Sequence, residues 1–250
     1  MTLLQPSPAR HGPPALSDPR DLPAPAEANG PADFPLALCS VSKHWATTGA
    51  PVLDALELQL EPGTLTWIGG RNGAGKTTML RVAAGLIEPD GGTASVWGLT
   101  AARHRARYQQ LVSFLPAGDR GLYARLTVRR QLEFWARISM VPARRVDVVV
   151  EHAIADFALA ELAAHRVDRM SMGQRQRLRL AMTFMTEPQV VLLDEPLTSL
   201  DAEAASILVR AVQRVRGEGG VVLWCSPTGE QPALSLDAAW VLDRGKLSPA

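Results

Sequence analysis

The sequence predicts an α/β fold: a parallel-sheet core interrupted by a helical block. Wholly apolar runs at 190–193 and 221–224 are the pattern of strands buried on both faces. A short strand at 65–68 enters a glycine-rich loop that gives way to a helical pattern at 77–86. Strand signals lie toward both ends of the chain, and segments of helical periodicity fill the middle.

Residues 1–34 carry Pro6, Pro8, Pro13, Pro14, Pro19, Pro23, Pro25 and Pro31 and almost no large apolar side chains. Such a segment cannot offset its ordering entropy and is expected to be a disordered, solvated tail. From 36 to 42 the text reads as a strand, and 52–60 alternates Leu56, Leu58 and Leu60 with Glu57 and Gln59, as a half-buried strand does. Glu61-Pro62-Gly63 turns the chain into the 65–68 strand. The 77–86 helix places Leu80, Val82, Ala83 and Leu86 on apolar faces. Helices are expected at 128–140, 146–162 and 174–185, and strands at 190–193, 221–224 and 239–242. A helix at 202–216 puts Ile207, Leu208, Ala211, Val212 and Val215 on one face and ends at Gly217. The folded domain is therefore expected over 35–250, its helical block at about 118–185.

An apolar fraction of 46% is enough for a substantial core. A formal net charge of +1 gives no global field toward nucleic acid or an anionic membrane, so no nucleic-acid partner is expected. Cys39 and Cys225 are the two cysteines; they suit a reducing compartment and read as buried small hydrophobes. No apolar run approaches the roughly 20 residues of a spanning helix. The start at 1–10 lacks the basic-then-apolar pattern of a secretory signal, so a cytoplasmic location is expected.

Gly70-Arg71-Asn72-Gly73-Ala74-Gly75-Lys76-Thr77 fits the phosphate-loop pattern G-x-x-x-x-G-K-[ST] at each specified position. The glycines let the backbone turn and aim its N–H groups at phosphate oxygens, and the helix that follows presents its positive end. Lys76 adds a point charge toward the β and γ phosphates, Thr77 offers Mg2+ a hydroxyl, and Thr78 continues the helix. An incidental glycine-rich turn is disfavoured by the strand-before, helix-after context. Val190-Val191-Leu192-Leu193-Asp194-Glu195 is an apolar strand ending in two acids, where a parallel sheet places its ligand crevice. Asp194 is placed for the Mg2+ shell, and Glu195 to orient or deprotonate an attacking water. The alternative is that the pair merely caps the segment after Pro196.

Between these sites, Met170-Ser171-Met172-Gly173-Gln174-Arg175-Gln176-Arg177 resembles the signature of the ABC ATPase family, usually Leu-Ser-Gly-Gly-Gln, with Met at its first and third positions. Ser199-Leu200-Asp201 resembles that family's D-loop. A plain capped helix is the alternative for 170–177, with Arg175, Arg177 and Arg179 as its solvated face or a weak nucleic-acid patch. The resemblance runs from about 36 to 246 and implies a phosphate-loop NTPase (RecA-like) core with an antiparallel β subdomain and an inserted α-helical subdomain. It implies ATP and Mg2+ as ligands and a sandwich dimer, homodimer or heterodimer, in which Ser171, Gly173 and Gln174 meet the ATP of the opposite subunit, and it places Asp201 among the nucleotide-binding residues. Monomers are then expected to bind ATP better than they hydrolyse it. Trp45 falls where the family stacks an aromatic on adenine, with a core tryptophan as the competing reading. Residues 121–128, with Tyr123 and Leu126, resemble the segment of bacterial exporter ATPases that receives a separate transmembrane permease. Closing of the local core is the alternative for those two side chains. The resemblance therefore implies peripheral attachment to the inner face of the cell membrane.

Two positions depart from the family. Phe114-Leu115-Pro116 is followed by Ala117 where the family has its Q-loop glutamine, and Pro227 stands where its switch histidine belongs. His104, His152 and His165 lie elsewhere in the chain. Since phosphoryl transfer depends on positioning and electrostatics, slow but real Mg2+-dependent hydrolysis is expected. A nucleotide-driven dimerisation switch, or a degenerate partner of a complete ATPase, is the alternative function.

Overall fold

The structure, a computed structural model, describes residues 31–45, 50–118, 120–198 and 200–250. Most of the expected N-terminal tail (1–30) and Ser199 lie outside the described residues. In chain order the elements are β1 (Leu36–Lys43), β2 (Leu53–Leu60), β3 (Leu65–Gly69), α1 (Lys76–Ala83), β4 (Gly91–Ser95), α2 (Arg105–Leu111), β5 (Val112–Leu115), α3 (Val128–Ile138), α4 (Val146–Asp156), α5 (Met172–Phe184), β6 (Val190–Asp194), α6 (Ala202–Gly217), β7 (Val221–Cys225), β8 (Ala238–Asp243) and β9 (Lys246–Pro249).

Six strands form one sheet in the order β5-β6-β7-β3-β8-β9. Its pairs are parallel except β8 with β9. Along β3, β6 and β7, alternate side chains enter opposite cores. Trp67, Val191, Leu193, Val222 and Trp224 pack toward α3–α6. Ile68, Val190, Leu192, Leu223 and Cys225 pack toward α1, α2 and the second sheet. Burial on both faces explains why these strands read as unbroken apolar runs. The second sheet is antiparallel, in the order β2-β1-β4. It is tied to the first where Asp54 N donates to Gly245 O at 3.0 Å.

Several boundaries differ from the sequence reading. α1 stops at Ala83 because Gly85 turns left-handed (φ 64), so Leu86 is exposed and lies off the apolar helix face expected of it. α4 ends at Asp156, short of 162; Ala158 takes φ 50, and 160–162 is a separate 3-10 turn. Cys39 is half-buried, whereas Cys225 is buried. The register shifts between Leu38 and Val41, where Ser40 takes φ 50, and this breaks the strict in-out alternation of β1. β4, α2, β5 and β9 had no sequence counterpart. Gly91-Gly92-Thr93-Ala94-Ser95 carries no large apolar side chain, and it becomes a strand by pairing with β1. Among the described residues no helix is long and apolar enough to cross a membrane.

Candidate functional site

β3 delivers the 70–75 loop to the carboxyl end of the large sheet, and α1 begins directly after it. Gly73 (φ 81) and Gly75 (φ 109) hold left-handed backbone that L side chains rarely adopt. A Cβ at Gly75 would also lie 2.8 Å from Val52 O, and one at Gly70 2.6 Å from Leu242 O. Gly75 caps α1 without a side-chain hydrogen bond, so the first helical N–H groups have no side-chain cap. Lys76 is buried; its Nζ donates to Gly70 O at 2.6 Å and Arg71 O at 3.2 Å, bracing the loop from inside.

β6 carries Asp194 to the same sheet end, and Thr77 Oγ1 donates to its Oδ2 at 2.8 Å. The carboxylate also accepts the backbone N–H of Ala117. Burial holds its pKa above the usual carboxylate range, against the Thr77 and Ala117 hydrogen bonds and the Lys76 charge. Glu195 follows on a left-handed backbone (φ 50), its N–H donating to Cys225 O at 2.8 Å. This turn redirects the chain out of the sheet and sets Glu195 apart from the strand. One carboxylate and one hydroxyl, both hard oxygen donors beside the glycine-rich loop, are the residue types that could hold Mg2+ together with substrate oxygens. Asn72, Ala74 and Thr78 occupy the loop and the first turn of α1, as their positions imply.

Ser171 caps α5 reciprocally: its hydroxyl accepts from Gln174 N at 3.2 Å, and Gln174 Oε1 accepts from Ser171 N at 3.0 Å. Ser171 and Met172 are exposed beside Gly173. Within this chain Ser171, Gly173 and Gln174 form a separate surface at the start of α5. Asp201 caps α6, its Oδ1 accepting from Ala204 N at 2.8 Å. Trp45 is 39% exposed with Lys43 Nζ 5.4 Å above its ring, so the core reading is set aside. It follows the β1 end whose Lys43 O accepts Val52 N, and Val52 touches the Gly75 turn.

The sequence reading missed a set of buried polar side chains. Arg179, which the sequence places with Arg175 and Arg177 on a solvated face or a weak nucleic-acid patch, is only 3% exposed. It sits on the face of α5 turned to the sheet, where Gln176 is buried as well. Gln131, fully buried on α3, accepts from Tyr123 N (2.9 Å) and donates to Gly121 O (3.0 Å), fixing the 121–123 turn. Tyr123 is 52% exposed, in edge contact with exposed Phe134, while Leu126 is half-buried. Trp67 Nε1 donates to Ser226 Oγ at 2.7 Å, and Ser226 Oγ donates to Glu230 O at 2.5 Å, tethering the loop that contains Pro227. Their one sequence signal was a polar residue inside an apolar pattern, as with Gln131 between Val128 and Leu132.

Residues 53–198 match the family described as ABC transporter. Over 192 residues the chain is 30% identical to the ABC transporter ATP-binding protein NatA of Bacillus subtilis, covering 77% of this chain and 78% of the relative. It is 35% identical over 175 residues to the cytochrome c biogenesis ATP-binding export protein CcmA of Sphingopyxis alaskensis, covering 70% and 81%. A solved ATP-binding subunit of an ABC transporter superposes with a TM-score of 0.77 at 23% identity, covering 85% of this chain and 87% of that one.

Proposed function

Since the chain belongs to the ABC transporter family of ATP-binding proteins, and is an ATPase of that family, we propose that it hydrolyses Mg·ATP in a sandwich dimer to drive export through a separate transmembrane permease. The observation that carries the site assignment is the 2.8 Å bond joining Thr77 to Asp194, with Glu195 one residue further along. In this reading the 70–75 backbone and Lys76 grip the phosphates, and Trp45 stacks on the base. Thr77 and Asp194 would hold Mg2+, which supplies charge neutralisation on the phosphate oxygens. Glu195 orients the attacking water and takes its proton. Ser171, Gly173 and Gln174 receive the nucleotide of the opposite protomer, and Asp201 sets the D-loop beside it. A homodimer is the simplest assembly.

The exposed Tyr123 and Phe134 form the face we assign to the permease. Export is supported by the resemblance of the 121–128 segment to exporter ATPases. The chain then works at the cytoplasmic face of the membrane, held there by its partner. A second reading, a nucleotide-dependent switch or a degenerate partner of another ATPase, is favoured by Ala117 and Pro227, which bring no polar side chain to their loops. Co-purification from membranes followed by ATPase assay separates the two. Turnover above both Lys76→Ala and Glu195→Gln supports hydrolysis; turnover equal to those variants with ATP binding intact supports the switch.

A further inference from the structure

Arg179 stands on α5 about 12 Å beyond the Ser171 cap by the helical rise. Its guanidinium reaches three acceptors among the described residues. Nη2 donates to Pro116 O, Nε to Arg120 O at 3.3 Å, and Nη1 to Gln176 Oε1 at 2.6 Å. Gln176 relays the last of these, its Nε2 donating to Pro196 O at 3.2 Å. Pro116 and Arg120 bracket the turn whose Ala117 N–H reaches Asp194. Pro196 follows Glu195 directly. Arg179 and Gln176 of α5 thus together hold the backbone at 116 and 120 and at Pro196, next to the acid pair.

We infer that Arg179 is a positioning residue for hydrolysis: through Gln176 and the 116–120 backbone it fixes Asp194 and Glu195 relative to the Ser171 end of α5. The inference rests on the hydrolysis reading above. Ala117 brings only its backbone N–H to Asp194, so the geometry there depends on how that turn is held, and Arg179 holds it from beneath. A guanidinium suits the task because its N–H groups lie in a rigid planar fork and it stays protonated. When the Ser171 end of α5 engages a phosphate, any shift of the helix reaches both acids through this side chain.

The test compares wild type, Arg179→Lys, Gln176→Met and the double variant, as full chains with the permease, with Lys76→Ala as the turnover reference. Readouts are kcat, KM for Mg·ATP, melting temperature, and amide exchange by mass spectrometry. A lysine keeps the charge but not the fork. Arg179→Lys is expected to lower kcat about 10- to 100-fold with KM little changed, the scale of a small misplacement of catalytic groups. Exchange should rise at 116–120 and 197–198 while β6 and β7 stay protected. Gln176→Met, which cuts only the branch to Pro196, should lower kcat and raise exchange at 197–198 alone, and the double variant should be no worse than Arg179→Lys. Unchanged exchange at 116–120 in Arg179→Lys, an unchanged kcat, or losses that multiply in the double variant would each overturn the inference. If Arg179→Lys does not fold, Gln176→Met decides: an intact kcat overturns it. If wild type does not exceed Lys76→Ala, the hydrolysis reading has failed, while exchange at 116–120 still reports whether Arg179 holds the turn.

Discussion

Asp194→Asn is expected to stabilise the metal-free protein while removing its response to Mg2+. Asp194 is 2% exposed, and burial raises its pKa from the model-compound 3.8. A group whose folded pKa is raised stabilises the fold fully below its unfolded value and loses that contribution as the pH rises through the folded value. Above that value the buried carboxylate weakens the fold, and a bound cation offsets the cost. The carboxamide can keep both contacts: its oxygen accepts from Ala117 N–H, and its NH2 donates to the Thr77 hydroxyl, now rotated to accept. The substitution therefore removes charge without stranding a polar atom. Relief of this kind at a functional site is worth about 0.5–2 kcal/mol, which for a chain of this size raises Tm by roughly 1–8 °C. The assay is thermal unfolding in EDTA over a pH series running down from pH 8, repeated with saturating Mg·ATP. The gain from Asn should be full above the folded pKa of Asp194 and shrink as the pH falls through it, and Mg·ATP should stabilise wild type more than the variant. A lower Tm for Asp194→Asn in EDTA at pH 8, or a gap independent of pH, would refute the reasoning.

Trp45→Ala should cost ATP affinity by about 1–3 kcal/mol, the range for aromatic stacking on a base, and leave tripolyphosphate affinity unchanged; competition titrations with the two ligands check this. Ser226→Ala strands the buried Trp67 N–H and should destabilise by about 1–3 kcal/mol in urea unfolding. Gln131→Leu frees the 121–123 turn. Faster amide exchange at Tyr123 and weaker co-purification of the permease, with ATP affinity intact, are expected.

Much of the site was legible because its chemistry is local. A phosphate loop needs its glycines and lysine at fixed spacing within one strand-turn-helix, and Asp194 and Glu195 follow directly on an apolar strand. The Ser171 cap is likewise written in four consecutive residues. Arg179 was not legible, since its acceptors at 116, 120 and 176 meet it only after α5 packs beside β5. In one dimension an arginine among Arg175 and Arg177 reads as solvated. The sheet's central strands were visible as apolar runs, whereas β4 owes its existence to pairing with β1. Boundaries failed where a single left-handed residue, Gly85 or Ala158, ends a helix whose apolar pattern runs on.

In the proposed site the 70–75 backbone and Lys76 grip the phosphates of Mg·ATP, with Thr77 and Asp194 holding the metal. Titration calorimetry of the folded full-length chain tests it most directly. Saturable binding of Mg·ATP by wild type, abolished or strongly weakened in Lys76→Ala, is the expected result; no detectable binding, or equal binding by the two, would contradict it.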